Sequence, residues 1–334
     1  MTTSQLRTIA PADERPQPTR PDLANWSENY CLQAYDPSTE IGLWLHSGLP
    51  VYDFELWHDI TIVYLPGGTE VLIAKGFAPR SMDPDVPGSM LTGDYDDTTG
   101  EWVWRFRGAA MRANRHELEK GPAIDGPVEP VSFELRFAGL SKVWDLAEHV
   151  QGQVWTNAHW EQPCTTTGWV EFGGQRYEFD GSGIRDHSRG SRDFLYMGPH
   201  YWLHGQFPSG RAFGLLHIEP TSGQPRPLSN GYIVEDGELH DVEVVSLPTD
   251  RTFSGQLEVV LNGPNGRERI VGELLHDMPF TVEYPNEILF GYRPGKQQHL
   301  LREGQIRWDW AGETGYGLGE RTTVLGADGH PEDR

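Results

Sequence analysis

Apolar and polar positions alternate along much of this chain with the period of a strand rather than of a helix. In Glu101-Trp102-Val103-Trp104-Arg105-Phe106-Arg107 the even-numbered residues are all aromatic, and three of the four odd-numbered ones are charged. Successive side chains leave a strand on opposite faces, so the pattern predicts a half-buried strand. Val131-Ser132-Phe133-Glu134-Leu135-Arg136-Phe137 and Gln305-Ile306-Arg307-Trp308-Asp309-Trp310 repeat it. Hairpins are written as apolar runs around turn residues. Residues 60–65 and 70–74 flank Pro66-Gly67-Gly68, and residues 168–172 and 175–179 flank Gly173-Gly174. Helical patterns are confined to one or two turns at 110–120 and 145–151, neither with a long amphipathic face. Many short strands and few helices predict an all-β chain built as sandwich or barrel.

Length divides the pattern in two. A chain of 334 residues exceeds one ordinary core, and its halves have similar strand content. Two tandem antiparallel barrels account for this, with one large continuous sandwich as the alternative. We place the boundary at Pro163-Cys164-Thr165-Thr166-Thr167, giving a disordered tail over 1–23, a first barrel over 24–163 and a second over 164–326. The 39 Gly and 25 Pro supply the turns.

Charge narrows the function. A net charge of −22 repels phosphate backbones and anionic lipid, which excludes nucleic-acid and membrane-surface partners. No apolar run reaches membrane-spanning length, and residues 1–20 lack the apolar core of a signal peptide. Cys31 and Cys164 read as reduced, buried thiols of a cytoplasmic protein. Thirteen His lie scattered without ligand spacing, so no metal and no cofactor are expected. The aromatic content, 11% of the chain, suits an apolar ligand cavity and hence a hydrophobic small-molecule partner. An oligomer is open.

One segment concentrates chemistry. Arg185 to Asp193 holds three Arg, two Asp and one His in nine positions. Period two puts Ile184, Asp186 and Ser188 on one face and Arg185, His187 and Arg189 on the other. Charge on both faces of a barrel strand must be paired or lie in a functional site. An ion-pair network that pins the two barrels together is one reading. The other is catalytic, with Asp186 kept protonated in an apolar setting as a general acid and His187 beside it, unless strand geometry parts the two. The run Phe194-Leu195-Tyr196-Met197, followed by His200, Tyr201, Trp202 and His204, supplies the aromatic and imidazole groups of a substrate pocket, with His159 from a second cluster.

The segment 181–193, of form Gly-x-Gly-x-Arg-Asp-His-Ser-x-Gly-x-Arg-Asp, resembles the central motif of the AttH-like double-lipocalin superfamily, which includes the hydroxyneurosporene synthases or carotenoid 1,2-hydratases. Trp26-Ser27-Glu28-Asn29-Tyr30, Ile41-Gly42-Leu43-Trp44-Leu45-His46 and Gly317-Leu318-Gly319-Glu320 fit the same resemblance. It implies two tandem lipocalin-like (calycin) barrels. It also implies a cofactor-independent hydratase, dehydratase or isomerase acting on an alkene or alcohol of a terpenoid-like substrate, with Asp186 as proton donor. The superfamily also holds cyclases and pericyclases of terpenoid and polyketide tailoring, and lipocalin-like barrels also serve as non-catalytic carriers. The chain departs from the family at Ser188 and at Arg189, where carotenoid hydratases have Asn and Trp is common. Arg189 implies a more oxygenated substrate than a carotenoid.

Overall fold

A computed structural model of the chain describes residues 9–81, 85–193, 196–221, 226–248, 253, 255–283, 287–293 and 298–326. It divides into two compact units. The first comprises Arg7–Asn114 and Ile124–Asp193. It contains α1 (Pro11–Glu14), β1 (Trp26–Asp36), β2 (Ile41–Leu49), β3 (Leu56–Tyr64), β4 (Glu70–Pro79), β5 (Val86–Pro87), β6 (Leu91–Asp96), β7 (Glu101–Asn114), β8 (Val128–Gly139), β9 (Trp144–Asp145), β10 (Ala158–Phe172) and β11 (Gln175–Ser191). The second holds α2 (Arg115–Leu118), β12 (His200–Gln206), β13 (Ala212–Ile218), β14 (Leu228–Glu235), β15 (Glu238–Ser246), β16 (Gln256–Gly263), β17 (Gly266–Glu283), β18 (Glu287–Phe290), β19 (Gln298–Trp310) and β20 (Glu313–Leu325).

Each unit closes an antiparallel ring of eight strands. In the first, β1-β2-β3-β4-β7-β8-β10-β11 run in order and β11 returns to pair with β1. In the second, β12-β13-β14-β15-β16-β17-β19-β20 do the same and β20 pairs with β12. Closure removes the exposed sheet edges that a sandwich would leave. The expectation of two tandem barrels holds, and the continuous sandwich is excluded.

Both interiors are lined by buried aromatic side chains. Tyr30, Trp57, Trp102, Trp104, Phe106 and Phe133 fill the first. Phe213 meets Trp308 edge-on at 5.0 Å in the second. Glycine is required beneath Trp308, because a Cβ at Gly272 would lie 2.5 Å from its ring.

Three expectations are corrected. First, the units divide after Asp193 rather than at 163/164. Pro163 to Thr167 is not a linker but the middle of β10, and the charged motif lies on the last strand of the first ring, not in the second barrel. Pro163 is tolerated there because the ladder between β10 and β8 ends at Cys164, so its missing N–H interrupts no β8 bond. Second, 110–114 belong to β7 and only Arg115–Leu118 is helical, while 145–151 form turns after β9. Third, residues 9–23 are ordered, and residues 1–8 lie outside the described set.

The ordering of this segment has a physical cause. Glu14, only 2% exposed, receives both Nη atoms of Arg185 at 2.8 and 2.9 Å. Arg185 Nε donates to Gln162 Oε1 at 2.9 Å, and Tyr30 Oη donates to the Glu14 carbonyl at 2.8 Å. Gln17 N–H donates to Glu28 at 2.9 Å, and Asp13 accepts from Arg189 at 2.7 Å. An ion network exists, but its members all belong to the first unit, so it pins the N-terminal segment onto the first barrel and not one barrel to the other.

Removing one partner of a buried pair leaves the other charge uncompensated. Glu14→Ala is therefore expected to lower stability by about 3–5 kcal/mol. The double change Glu14→Leu with Arg185→Met should restore much of that loss. Chemical denaturation of the single and double variants measures both, and additive losses would rule out the coupling.

Candidate functional site

Strand β11 pairs with β1 and β10 without a register shift through the charged motif. No bulge re-aims a side chain, so alternation decides what each residue faces. Arg185, His187 and Arg189 share a face with Tyr30 and Leu32 of the first core. Ile184, Asp186 and Ser188 face the other way.

On the inner face His187 is fully buried, with Nε2 2.8 Å from Glu28 Oε1. Tyr30 stacks on its ring at 4.0 Å and Trp160 meets it edge-on at 4.4 Å. Burial lowers its pKa against the pull of Glu28. Arg189 bonds Asp13, lies 3.9 Å from Glu28 and covers Trp160 at 5.2 Å. The expected pairing of Asp186 with His187 does not form, and Arg189 is engaged by carboxylates of its own unit.

The outer face carries a different cluster. Asp186 lies beside Cys31 of β1 and Glu161 of β10. The Cys31 backbone N–H donates to Asp186 Oδ1 at 2.8 Å. His159 Nδ1 lies 3.7 Å from Asp186 Oδ2, and its Nε2 is 2.9 Å from Glu161 Oε1. His159 and Glu161 are two residues apart on one strand, so they project from the same face. Trp155 meets the His159 ring edge-on at 5.3 Å. Ser188, next on this face, accepts from Arg192 Nη2 at 2.7 Å.

Electrostatics give the cluster its character. Burial pushes the Asp186 carboxyl up to about 7, and the charge on Glu161 adds to the rise. His159, the Cys31 N–H and Arg192 pull against it and lose. For His159, burial disfavours the cation, but the hydrogen bond to Glu161 and the charges of Asp186 and Glu161 outweigh it and raise its pKa. Near neutral pH the group thus holds an exchangeable proton, as proton donors require.

The remaining candidates lie in the second unit. His200, Trp202 and His204 project from one face of β12, while Tyr201 points into the barrel core. His200 is hydrogen-bonded to Glu320, with Thr322 Oγ1 at 2.9 Å. Tyr201 Oη donates to the Pro248 carbonyl at 3.1 Å, and Arg321 covers its ring at 4.1 Å. His204 is fully buried, neither ring nitrogen meets a hydrogen-bond partner among the described residues, and burial pulls its pKa down to about 3. Tyr196 is exposed, and Phe194 and Leu195 lie outside the described residues. Cys31 and Cys164 are buried and not joined by a disulfide, and Cys164 Sγ donates to the Gln162 carbonyl at 3.3 Å. Among the described residues no group of three or more His, Cys, Asp or Glu is arranged to hold a metal ion, and no helix is long and apolar enough to cross a membrane.

Sequence reasoning passed over Glu161, Glu28 and Glu14. Glu161 was legible, since the period that sets His159 outward sets Glu161 beside it. Glu14 and Glu28 carried no local signal, because Arg185 and His187 meet them from 171 and 159 positions away.

A family model described as "Domain of unknown function (DUF7064)" matches residues 10–324. No curated protein matches by sequence. Solved structures share the fold. One is a protein assigned as AttH from Nitrosomonas europaea, at 12% identity and TM-score 0.60, covering 95% of this chain and 97% of that one. Kievitone hydratase from Nectria haematococca aligns at 10% identity and TM-score 0.55, covering 96% and 94%. CghA, solved with Sch210972, aligns at 12% identity and TM-score 0.55, covering 95% and 96%. The AttH-like double-lipocalin resemblance therefore holds, as a likeness of fold.

The raised carboxyl makes stability depend on pH. A carboxyl whose folded pKa lies above its unfolded value contributes stability below pH 4, and loses it as pH rises through about 7. Asp186→Asn cannot ionise, and its amide oxygen still accepts from Cys31. The variant is therefore expected to gain on the wild type by a few kcal/mol between pH 5 and pH 8. Denaturation at both pH values measures this, and a pH-independent difference would exclude the raised pKa.

Proposed function

The chain belongs to the DUF7064 family, and we propose that it is a cofactor-independent hydratase or dehydratase in which Asp186 is the general acid. The substrate is an apolar, terpenoid-like alkene or the corresponding alcohol. The observation that carries this reading is a carboxyl pushed to about 7 with an imidazole 3.7 Å away on the same face.

In the hydration direction the Asp186 carboxylic acid gives its proton to one alkene carbon, and the other carbon becomes a cation. The Trp155 ring supplies a quadrupole that favours positive charge nearby. A water oxygen bonds to the cation. The proton it releases passes to His159 and from His159 Nδ1 to the Asp186 carboxylate, which restores the acid. Glu161 holds the imidazole through Nε2, which orients Nδ1 and favours its protonated form. The sum is addition of one water, and the reverse sequence dehydrates the alcohol.

His187 is less suited to the base role than His159, since it faces the barrel interior and is bound to Glu28. A carrier that holds ligand inside a barrel is disfavoured, because both interiors are filled by their own aromatic side chains.

Incubation with terpenoid alkenes in deuterated water tests the reading. Wild-type protein is expected to incorporate deuterium at carbon with net hydration. Asp186→Asn is expected to lose about 10²–10⁴-fold of that rate, a range typical of a positioned acid. Wild-type kcat should fall as Asp186 ionises above about pH 7. Full turnover in Asp186→Asn would sink the acid role and favour a cyclisation driven by shape.

A further inference from the structure

The face that carries Asp186 continues across three more strands. Asp186 lies beside Cys31 of β1, and Cys31 beside His46 of β2. In the next row Ser188 lies beside Asn29, Asn29 beside Gly48, and Gly48 beside His58 of β3. His46 and His58 meet edge-on at 6.5 Å. Trp44 stacks on His46 at 5.8 Å, and Phe77 stacks on His58 at 4.7 Å.

Both imidazoles are buried, at 8% and 6% exposure. His46 Nδ1 and His58 Nε2 meet no hydrogen-bond partner among the described residues. A buried polar atom without a partner forfeits its water and gains nothing in return. Burial holds both rings neutral. It takes His46 well below the usual histidine range, helped by the repulsion that protonating both it and His58 would bring and by the charges of Arg192 and Lys75, and takes His58 to about 3, helped by Lys75. A neutral imidazole both donates and accepts, which suits an uncharged oxygen better than an anion. Gly48 makes the arrangement possible, because a Cβ there would lie 3.1 Å from His46 Cε1 and 2.5 Å from Asn29 Oδ1.

We propose that His46, backed by His58, binds a hydroxyl or carbonyl oxygen of the substrate, about 10 Å from the carbon that Asp186 protonates. The spacing follows from the register, since β11 and β2 are two strands apart and strands lie about 4.8 Å from their neighbours. The inference rests on the reading of Asp186 as the acid for the position of the reacting carbon. It narrows the substrate to an apolar molecule with an oxygen function set back from its alkene or alcohol. A hydrocarbon of the same shape leaves both imidazole nitrogens desolvated and unpaired.

Binding of farnesol and of farnesene to the full chain, followed by tryptophan fluorescence, tests this. The two probes share a carbon skeleton and differ by one water: farnesol carries a hydroxyl distant from the terminal alkene, and farnesene carries a further double bond instead. Wild-type protein is expected to bind farnesol about tenfold or more tightly than farnesene. His46→Phe keeps a flat ring without nitrogens and should bring the ratio close to one, by weakening farnesol alone. His46→Gln restores a donor and an acceptor and should recover most of the preference. His58→Phe is a second, independent variant expected to reduce the ratio. Equal wild-type affinities, or a ratio unchanged in whichever Phe variant folds, overturn the proposal. Binding is read from the initial fluorescence change, before any hydration accumulates, so failure of the Asp186 chemistry leaves these ratios as they are. Loss of the ratios in turn leaves the deuterium result as it is.

Discussion

The last strand of the first barrel is buried on both faces and charged on both, and each charge has to find its partner inside its own unit. Strand geometry forbids one cluster from serving both faces. The inner charges, Arg185, His187 and Arg189, are met by Glu14, Glu28 and Asp13. The outer charge, Asp186, is met by a backbone N–H, a histidine at 3.7 Å, the more weakly felt charge of Arg192 and a neighbouring carboxylate that repels it. Each inner charge thus has a carboxylate of opposite sign beside it, while the outer carboxyl has a repelling carboxylate as a neighbour. That difference supports taking the outer face as the candidate site.

The pairing of the inner charges explains how polar groups can lie against an aromatic core. A guanidinium inside an aromatic core carries a large desolvation penalty unless it is paired in good geometry. The two-pronged contact with Glu14 provides that, and it draws the N-terminal segment against the aromatic interior. With the interior filled, polar side chains in excess of structural need collect on the outer face of β10, β11, β1 and β2. His159, Glu161, Asp186 and His46 all lie there.

Much of this was legible before any coordinates. Alternation in residues 101–107 and 305–310 identified strands correctly, because a half-buried strand leaves a local record in sequence. The same alternation correctly parted Asp186 from His187. The domain boundary was misread because Pro and consecutive Thr resemble a linker, while what defines a barrel is closure of the first strand on the last. That closure joins Tyr30 to His187, with no residue pattern between them to announce it. The ordered N-terminal segment escaped for the same reason. Residues 11–14, Pro-Ala-Asp-Glu, are polar and short, and they are ordered by a charge far along the chain. His159 was found as a lone histidine, and its geometry with Glu161 needed only the alternation already in use.

The pairing of Glu14 with Arg185 also sets an order of events in time. Residue 14 is made before residue 185, yet its carboxylate gains its charged partner only when β11 is in place. The contact spans nearly the whole first unit. Contacts of such long range are slow to form, because loop closure must precede their reward. Until this one forms, Arg185 lacks its carboxylate partner at the seam where β11 meets β1. A contact of this reach ties the settling of the segment around residue 14 to completion of the ring, so the two are expected to form together and late.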